Sequence, residues 1–533
     1  MNSFKLNILL LLFGAGILFS SCEKKWDDHN EIKDQILAEN LMEQINKDPN
    51  LSKFSEYLVK TGYDKVVAST RTFTVWAPTN QALQTLDPEV INTDEKLVLF
   101  VGNHIASESF LTKAPKDSFL RIKTLNGKNV TFTSTSVDGS SLAAKDMYVG
   151  NGILHTISTA ITPKVSAWQY LMASSTLQKT ELQSLTYNLF DPTLAEEVGI
   201  DPSTGKPIYK EGTGVIQVNR FLRRSDISNE DSLFTYIVLT DQAFQAERAK
   251  LTKYYTLGRQ DSTDSLTNFN VIKDLAFKGI LNADNFPATA YSDRDSVKFH
   301  LNKSAIVETH PVSNGIVYVM NSINYDLTGA NNTYDPYTKL KPILIQAESA
   351  NNSTDFLSVK TNTRPVRRSP DGKIYTQLQV ENHGTASYWA RYRIPVANSI
   401  KYKVVWRVAR ETNLVPVSPA SPVVAGSDLV YFPLRVAFKA PALTTGLNYI
   451  PKPGVVPVLN ADGTQALDAA GKLRFAPDYQ EREVGEYTVD KYYSTTLASG
   501  TAGALTLYLV GSTTTGNGTN TLLMDYVKLI PVP

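Results

Sequence analysis

One cysteine, Cys22, stands in 533 residues, and that scarcity excludes an internal disulfide framework, so the cores must be held by burial alone. Histidine is scarce as well. The six, at positions 29, 104, 155, 300, 310 and 383, include no pair at the spacing of a helical zinc site, and a lone thiol cannot build a Cys/His zinc site. An excess of either charge is missing: 53 Lys plus Arg face 52 Asp plus Glu, which leaves no basic surplus for nucleic acid and no acidic tail. Nucleophile elbow, phosphate-cradling glycine loop and dinucleotide fingerprint are absent, so no enzyme is expected, although paired carboxylates have no fixed spacing by which to search for them. Beyond the first 21 residues there is no long apolar run. With 42% hydrophobic and 20% charged residues the chain can build ordinary soluble cores, and its length suits three or four domains.

The N-terminus reads "MNSFKLNILLLLFGAGILFSSC", with an early Lys5, an apolar run from Leu6 to Phe19, and Ser20 and Ser21 before the thiol. This is the shape of a secretory leader. The run falls short of the roughly 20 apolar residues that a membrane-spanning helix needs. Ser20, Ser21 and Cys22 resemble the bacterial lipobox, whose cysteine is acylated and becomes the new N-terminus. The resemblance implies lipidation at Cys22 and anchorage to a membrane face. An ordinary signal peptide with an incidental cysteine is the alternative. The polar stretch after Cys22 reads as a tether, and its Lys25, Asp27 and Asp28 resemble the signal that sends lipoproteins of Bacteroidetes-like bacteria to the outer face of the outer membrane. A merely solvated linker is the plainer reading of the same residues.

An internal repeat organises the chain beyond the tether. "FTVWAPTNQAL" from Phe73 matches "FTYIVLTDQAF" from Phe234, and "NGILHTI" from Asn151 matches "NGIVYVM" from Asn314, at nearly equal separations. Each first motif reads as a strand followed by capping residues, Thr79-Asn80 or Thr240-Asp241, with the helix starting at Gln81 or Gln242. Each second motif reads as an Asn-Gly turn with positive φ leading into a strand. The segment "GIDPSTGKPIYKEGTGVIQVNRF" is an insert in the second copy and reads as a hairpin.

These motifs resemble the two signature blocks of the fasciclin domain, with His155 on the family's histidine; in the second copy Leu239 replaces the proline and Tyr318 the histidine. The resemblance implies α+β domains, small β-sandwiches with helices on one side, used for adhesion at cell surfaces. The tyrosine of the Tyr-His adhesion motif found in some animal members is lost here, since Asn103-His104 and Lys278-Gly279 stand at its place. His104 and His155 could form a metal or acid-base pair, or be satisfied core residues.

From Ile343 onward the chain reads as short alternating strands with turn residues between them, an antiparallel β-sandwich. Ala347-Glu348, the Trp389 to Ala409 pair and the closing Met524 to Leu529 resemble the landmarks of family-6 carbohydrate-binding modules of the jelly-roll type. That resemblance implies a glycan partner and a structural calcium held by Glu348 and Asp525; ordinary edge hydrogen bonds are the alternative for both carboxylates. A long segment from Thr412 to Tyr487 departs from the family, and its Asn460 to Gly463 run reads as a hairpin turn. Sugar recognition needs flat aromatic faces and hydroxyl-bonding side chains. Trp389, Tyr392, Tyr492 and Tyr493 are the leading candidates, with Tyr431 and Tyr449 behind them; an aromatic in a strand also serves packing, and Trp406 and Tyr388 are expected in the core.

The fold class expected is thus α+β followed by all-β. Residues 1–21 are read as the lipoprotein leader, 22–33 as the tether, 34–164 and 165–328 as fasciclin-like domains, 329–340 as a linker and 341–533 as the sandwich. The function expected is capture of polysaccharide or oligosaccharide at the outer membrane beside a glycan importer; an adhesin working through the fasciclin-like domains is the alternative.

Overall fold

The two motifs of the first repeat are neighbouring strands. In the computed structural model, Phe73–Pro78 lies parallel to Gly152–Ile157, with Phe73 opposite Gly152 and Trp76 opposite His155. Residues 37–114, 119–350, 355–369, 372–409, 432–442, 447–496, 503–515 and 521–533 are described; Cys22, Lys25, Asp27, Asp28 and Tyr431 lie outside them. The two strands sit within a seven-stranded sheet that runs from Ile105–Ala106 at one edge to Leu120–Lys123 at the other. Successive side chains point to opposite faces. Phe73, Val75 and Ala77 join Phe54, Leu58 and Phe100 in the core on one face, whereas Trp76 joins Ile122, Val130, Phe132 and Ile157 on the other. Both faces being covered, every residue of this strand is buried.

Thr79 caps the following helix: its hydroxyl oxygen accepts from the Ala82 N–H at 3.1 Å, and the helix begins at Asn80. Thr240 does the same for the helix Asp241–Thr252. Each helix therefore starts one residue earlier than expected, and Asn80 and Asp241 stand inside it. The tight turn before Gly152–Ile157 is made by Gly150 and Asn151, with Val149 opposite Gly152. At Gly152, φ is +154° and a Cβ would fall 1.9 Å from the Phe73 carbonyl oxygen, so the close approach of the two signature strands requires glycine there.

Contacts divide the chain into two compact units. One comprises residues up to Tyr170 with Ile227–Leu233 and Pro311–Gly315; the other comprises Leu171–Asp226, Phe234–His310 and Ile316–Pro533. The second repeat has a four-stranded sheet in the order Ala276–Lys278, Phe234–Leu239, Gly315–Met320, Ile306–Val312. Its insert forms the expected hairpin, Glu197–Ile200 against Pro207–Tyr209, and a further ribbon, Thr186–Phe190 against Val215–Asn219.

The C-terminal part is antiparallel, and among its described residues the helical content is one short turn, Ala347–Ser349. Ile343–Gln346, Tyr526–Val532, Lys401–Arg407 and Arg482–Thr488 form one sheet in that order, and Trp389–Ile394, Leu505–Val510 and Arg435–Phe438 form another. The first strand thus pairs with the last, Ile345 opposite Val527. Trp406 and Tyr388 are buried, as the alternation predicts. Leu459 bridges Gln465 around the Asn460 to Gly463 turn, where Asp462 accepts from the Thr464 N–H at 2.9 Å.

The strands pack on the second repeat. The Tyr492 N–H donates to the Thr256 carbonyl at 2.7 Å, the Ser399 N–H to that of Tyr254 at 3.0 Å, and the Tyr255 and Tyr492 rings lie 5.6 Å apart. The stretch 329–340 is bound to the same repeat. Lys339 Nζ meets Asp274 Oδ2 at 2.6 Å with both side chains almost fully buried, and the Lys339 and Leu340 N–H groups donate to Asp326 and Leu327.

Candidate functional site

The signature polar residues of both repeats are spent on the main chain. Asn151 Oδ1 accepts from the Leu41 N–H at 2.8 Å while its amide donates to the carbonyls of Val67 and Ser69 at 2.7 and 2.6 Å. Asn314 accepts from the Ala167 N–H and donates to Ile227 and Asn229 in the same pattern. Asn80 accepts from the Lys53 N–H, and Asp241 from the Leu177 N–H, each at the start of a neighbouring helix. These are fixings of loops and helix ends.

The two histidines do not make a metal or acid-base pair. His104 Nδ1 donates to the Phe100 carbonyl at 2.8 Å and Nε2 accepts from the Ile161 N–H at 3.3 Å. His155 Nδ1 accepts from the Asp146 N–H and Nε2 donates to the Phe110 carbonyl at 2.9 Å. Burial holds both neutral, with His104 lowered to about 4 and His155 below its ordinary value. Tyr318 takes the place of His155 in the second repeat: its hydroxyl donates to the Leu281 carbonyl and accepts from the Ala283 N–H.

Glu348 and Asp525 meet because the first and last strands are paired. The Ala347 N–H donates to the Asp525 carbonyl at 2.8 Å, which sets the turn carrying Glu348 beside the start of the closing strand. Glu348 Oε2 and Asp525 Oδ2 are both buried and make no hydrogen bond among the described residues. Burial above all, with the Glu348 charge adding and Arg407 opposing, pushes the Asp525 carboxyl up to about 7. Arg407 Nη1 lies 3.3 Å from Asp525 Oδ2. Glu348 Oε2, and Asp525 Oδ2 despite its ion pair with Arg407, are hard oxygen donors of the kind calcium takes, and its remaining ligands would be carbonyls or water. Among the described residues no group of three or more His, Cys, Asp or Glu side chains could hold a metal ion.

Of the aromatic candidates among the described residues, Trp389 alone keeps a half-buried position on a sheet face. Ala390, Tyr392 and Ile394 point into the core, while Trp389, Arg391 and Arg393 point outward. Tyr508, on the adjoining strand opposite Arg391, shares that outer face and meets Trp389 edge-on, with ring centroids 5.2 Å apart at 89°. A cleft of about 590 Å³ borders the face and is lined by Gln346, Asp355, Arg391 and Arg393. Arg391 Nη2 lies 3.5 Å from Asp355 Oδ1. An aromatic corner beside guanidinium, carboxylate and amide groups can stack on a pyranose face and bond its hydroxyls.

The structure corrects the other expectations. Tyr392 is 6% exposed and its hydroxyl donates to the Ala347 carbonyl, so it closes the core. Tyr492 and Tyr493 are 8% and 9% exposed; Tyr492 packs on Tyr255, and Tyr493 lies in a strand paired with Val396–Ala397. None of the three offers a free platform. Tyr449 lies under the Arg435 guanidinium, 4.9 Å from its ring centre. Sequence reasoning passes over Tyr508, although in "ALTLYLVG" alternation already sets it on the face opposite Leu505, Leu507 and Leu509.

The fasciclin domain model matches residues 49–163, so a fasciclin domain is present in the first repeat. Transforming growth factor-beta-induced protein ig-h3 of Sus scrofa is 24% identical over 131 residues, 23% of this chain and 19% of that protein, so the chain spans about a fifth of that relative's length. Among solved structures, a FAS1 domain pair from the insect cell adhesion molecule Fasciclin I covers 51% of this chain and 96% of its own at 15% identity, with a TM-score of 0.20. The C-terminal CBM6 of LamC, a marine laminarinase from Zobellia galactanivorans, covers 36% of this chain and 99% of its own at 14% identity, with a TM-score of 0.18.

Proposed function

We propose that this chain, whose first repeat carries a fasciclin domain, is a non-catalytic bacterial surface lipoprotein that binds glycan through its C-terminal β-sandwich, a jelly roll on this reading. Cys22 carries the lipid, the tether brings the protein to the outer face of the outer membrane, and the two repeats act as spacers. The observation that carries the reading is the outward face of Trp389, Tyr508, Arg391 and Arg393 beside an open cleft. Glu348 and Asp525 hold a calcium that supports the sandwich without touching the sugar. On this account the captured oligosaccharide passes to an outer-membrane import complex.

A second reading, adhesion to protein or matrix through the repeats, is favoured by the fasciclin match itself. Affinity electrophoresis of the whole chain in gels containing a broad polysaccharide panel, with and without calcium, separates the two. Retardation by at least one polysaccharide supports glycan capture, and no retardation by any leaves adhesion as the reading.

A further inference from the structure

A cavity of about 720 Å³ opens between the helix Gln260–Ile272 of the second repeat and the Tyr492 to Thr496 segment of the C-terminal strands. Ligand pockets typically span about 300–1,000 Å³. It shares no residue with the Trp389 face. Its apolar part comes from Leu257, Leu266 and Phe269, and its cations are Arg220, Lys273 and Arg294.

Several of the charges nearby are already paired. Asp295 takes Lys273 Nζ at 2.7 Å and stands 4.0 Å from Arg294 Nε. Asp261, the acidic residue in the lining, is tied to Arg259 at 2.7 Å. Arg294 lies over the Phe269 ring at 5.0 Å, and its Nη1 is buried with no hydrogen-bond partner among the described residues. The Arg294 side chain lines the cavity, and a carboxylate matches a guanidinium fork in shape and charge.

We propose that this cavity is a second ligand site and that it takes the carboxylate-bearing unit of an acidic saccharide. The carboxylate meets Arg294, with Arg220 and Lys273 adding field. Ser262, Ser494 and Thr496 supply hydroxyls near the Phe269 ring. Hydroxyls spaced about apolar rings suit a polyhydroxylated ring, whereas an extended peptide needs a strand edge with which to pair. The site does not rest on the sheet-face reading.

Calorimetric titration of the whole chain with digalacturonate, dimannuronate and a glucuronate disaccharide tests it, with the neutral disaccharide of the same linkage and inorganic sulfate as comparisons. At least one acidic disaccharide is expected to saturate a single site and to bind at least tenfold more tightly than its neutral counterpart. Arg294→Gln should lose tenfold or more, as should Ser265→Trp, which fills the cavity from an exposed helix position and keeps the test decisive if the first variant fails to fold. Trp389→Ala should leave this affinity unchanged. Equal binding of the neutral disaccharide, no binding by any acidic one, or affinity retained in both cavity variants overturns the proposal. Sulfate binding as tightly as the disaccharide reduces the cavity to a bare anion site and overturns the saccharide assignment.

Discussion

Asn151 and Asn314 each brace their own repeat by the same device: each amide oxygen takes the first N–H of a helix, and each amide nitrogen reaches two carbonyls of the chain that leads into the first signature strand. The Asn-Gly pair is therefore a bracket and a close contact together. The side chain ties the helix and the loop, while the glycine lets the two signature strands approach.

Replacing Asn151 by Ala strands one donor and two acceptors, and it should cost about 3 kcal/mol. Asn151→Asp keeps the acceptor alone and should fall between that variant and the wild type. Thermal unfolding by circular dichroism checks the order; an Ala variant as stable as the parent would show that the bracket carries no weight.

Acid should loosen the first repeat. The unfolded chain takes up protons on His104 and His155 near pH 6.5, while burial keeps the folded state from accepting one on His104 until about pH 4 and lowers His155 as well. Stability is then full above about pH 6.5 and falls as the pH drops toward 4, by on the order of 3 kcal/mol for His104. His155→Tyr, which copies Tyr318 of the second repeat, should flatten the pH dependence measured by calorimetry. An unchanged slope would leave His155 no part in the acid sensitivity.

Lys339 and Asp274 give the stretch between the second repeat and the sandwich an anchor. Lys339→Met removes the cation at 2.6 Å from a buried carboxylate and should destabilise that unit by about 3 kcal/mol. Urea unfolding measures it, and a variant at the parent's midpoint would contradict the reading of this stretch as anchored.

The repeats were legible because their cues are local. Strand patterning and Thr caps act within a few residues, so the sequence reaches them to within one position at Thr79 and Thr240. Tyr392 was legible too, since it lies three residues from Trp389 on one strand and so must face the opposite way. Tyr492 and Tyr493 were not: Tyr492 is covered by Tyr255 from a distant part of the chain, and the strand containing Tyr493 is paired with Val396–Ala397. The meeting of Glu348 with Asp525 follows from the pairing of the first and last strands. Their neighbour Arg407 comes from a third strand that no local cue sets beside them.

Calcium should raise the melting temperature of the protein, with a stabilisation of about 2.7 kcal/mol at a hundredfold excess over Kd. Glu348→Gln should abolish the rise, as should chelation. Equal melting with calcium, with magnesium and with chelator would remove the ion from the account.

The most direct measurement is the affinity of the whole chain for a polysaccharide that retards it, by calorimetry at saturating calcium, in the wild type, Trp389→Ala, Tyr508→Ala and the double variant. A loss of at least tenfold, about 1.4 kcal/mol, is expected for Trp389→Ala. The double variant should lose less than the two single losses combined, because the rings form one edge-on pair. Undiminished affinity in Trp389→Ala, with the fold intact by circular dichroism, would contradict the claim that this face holds the glycan.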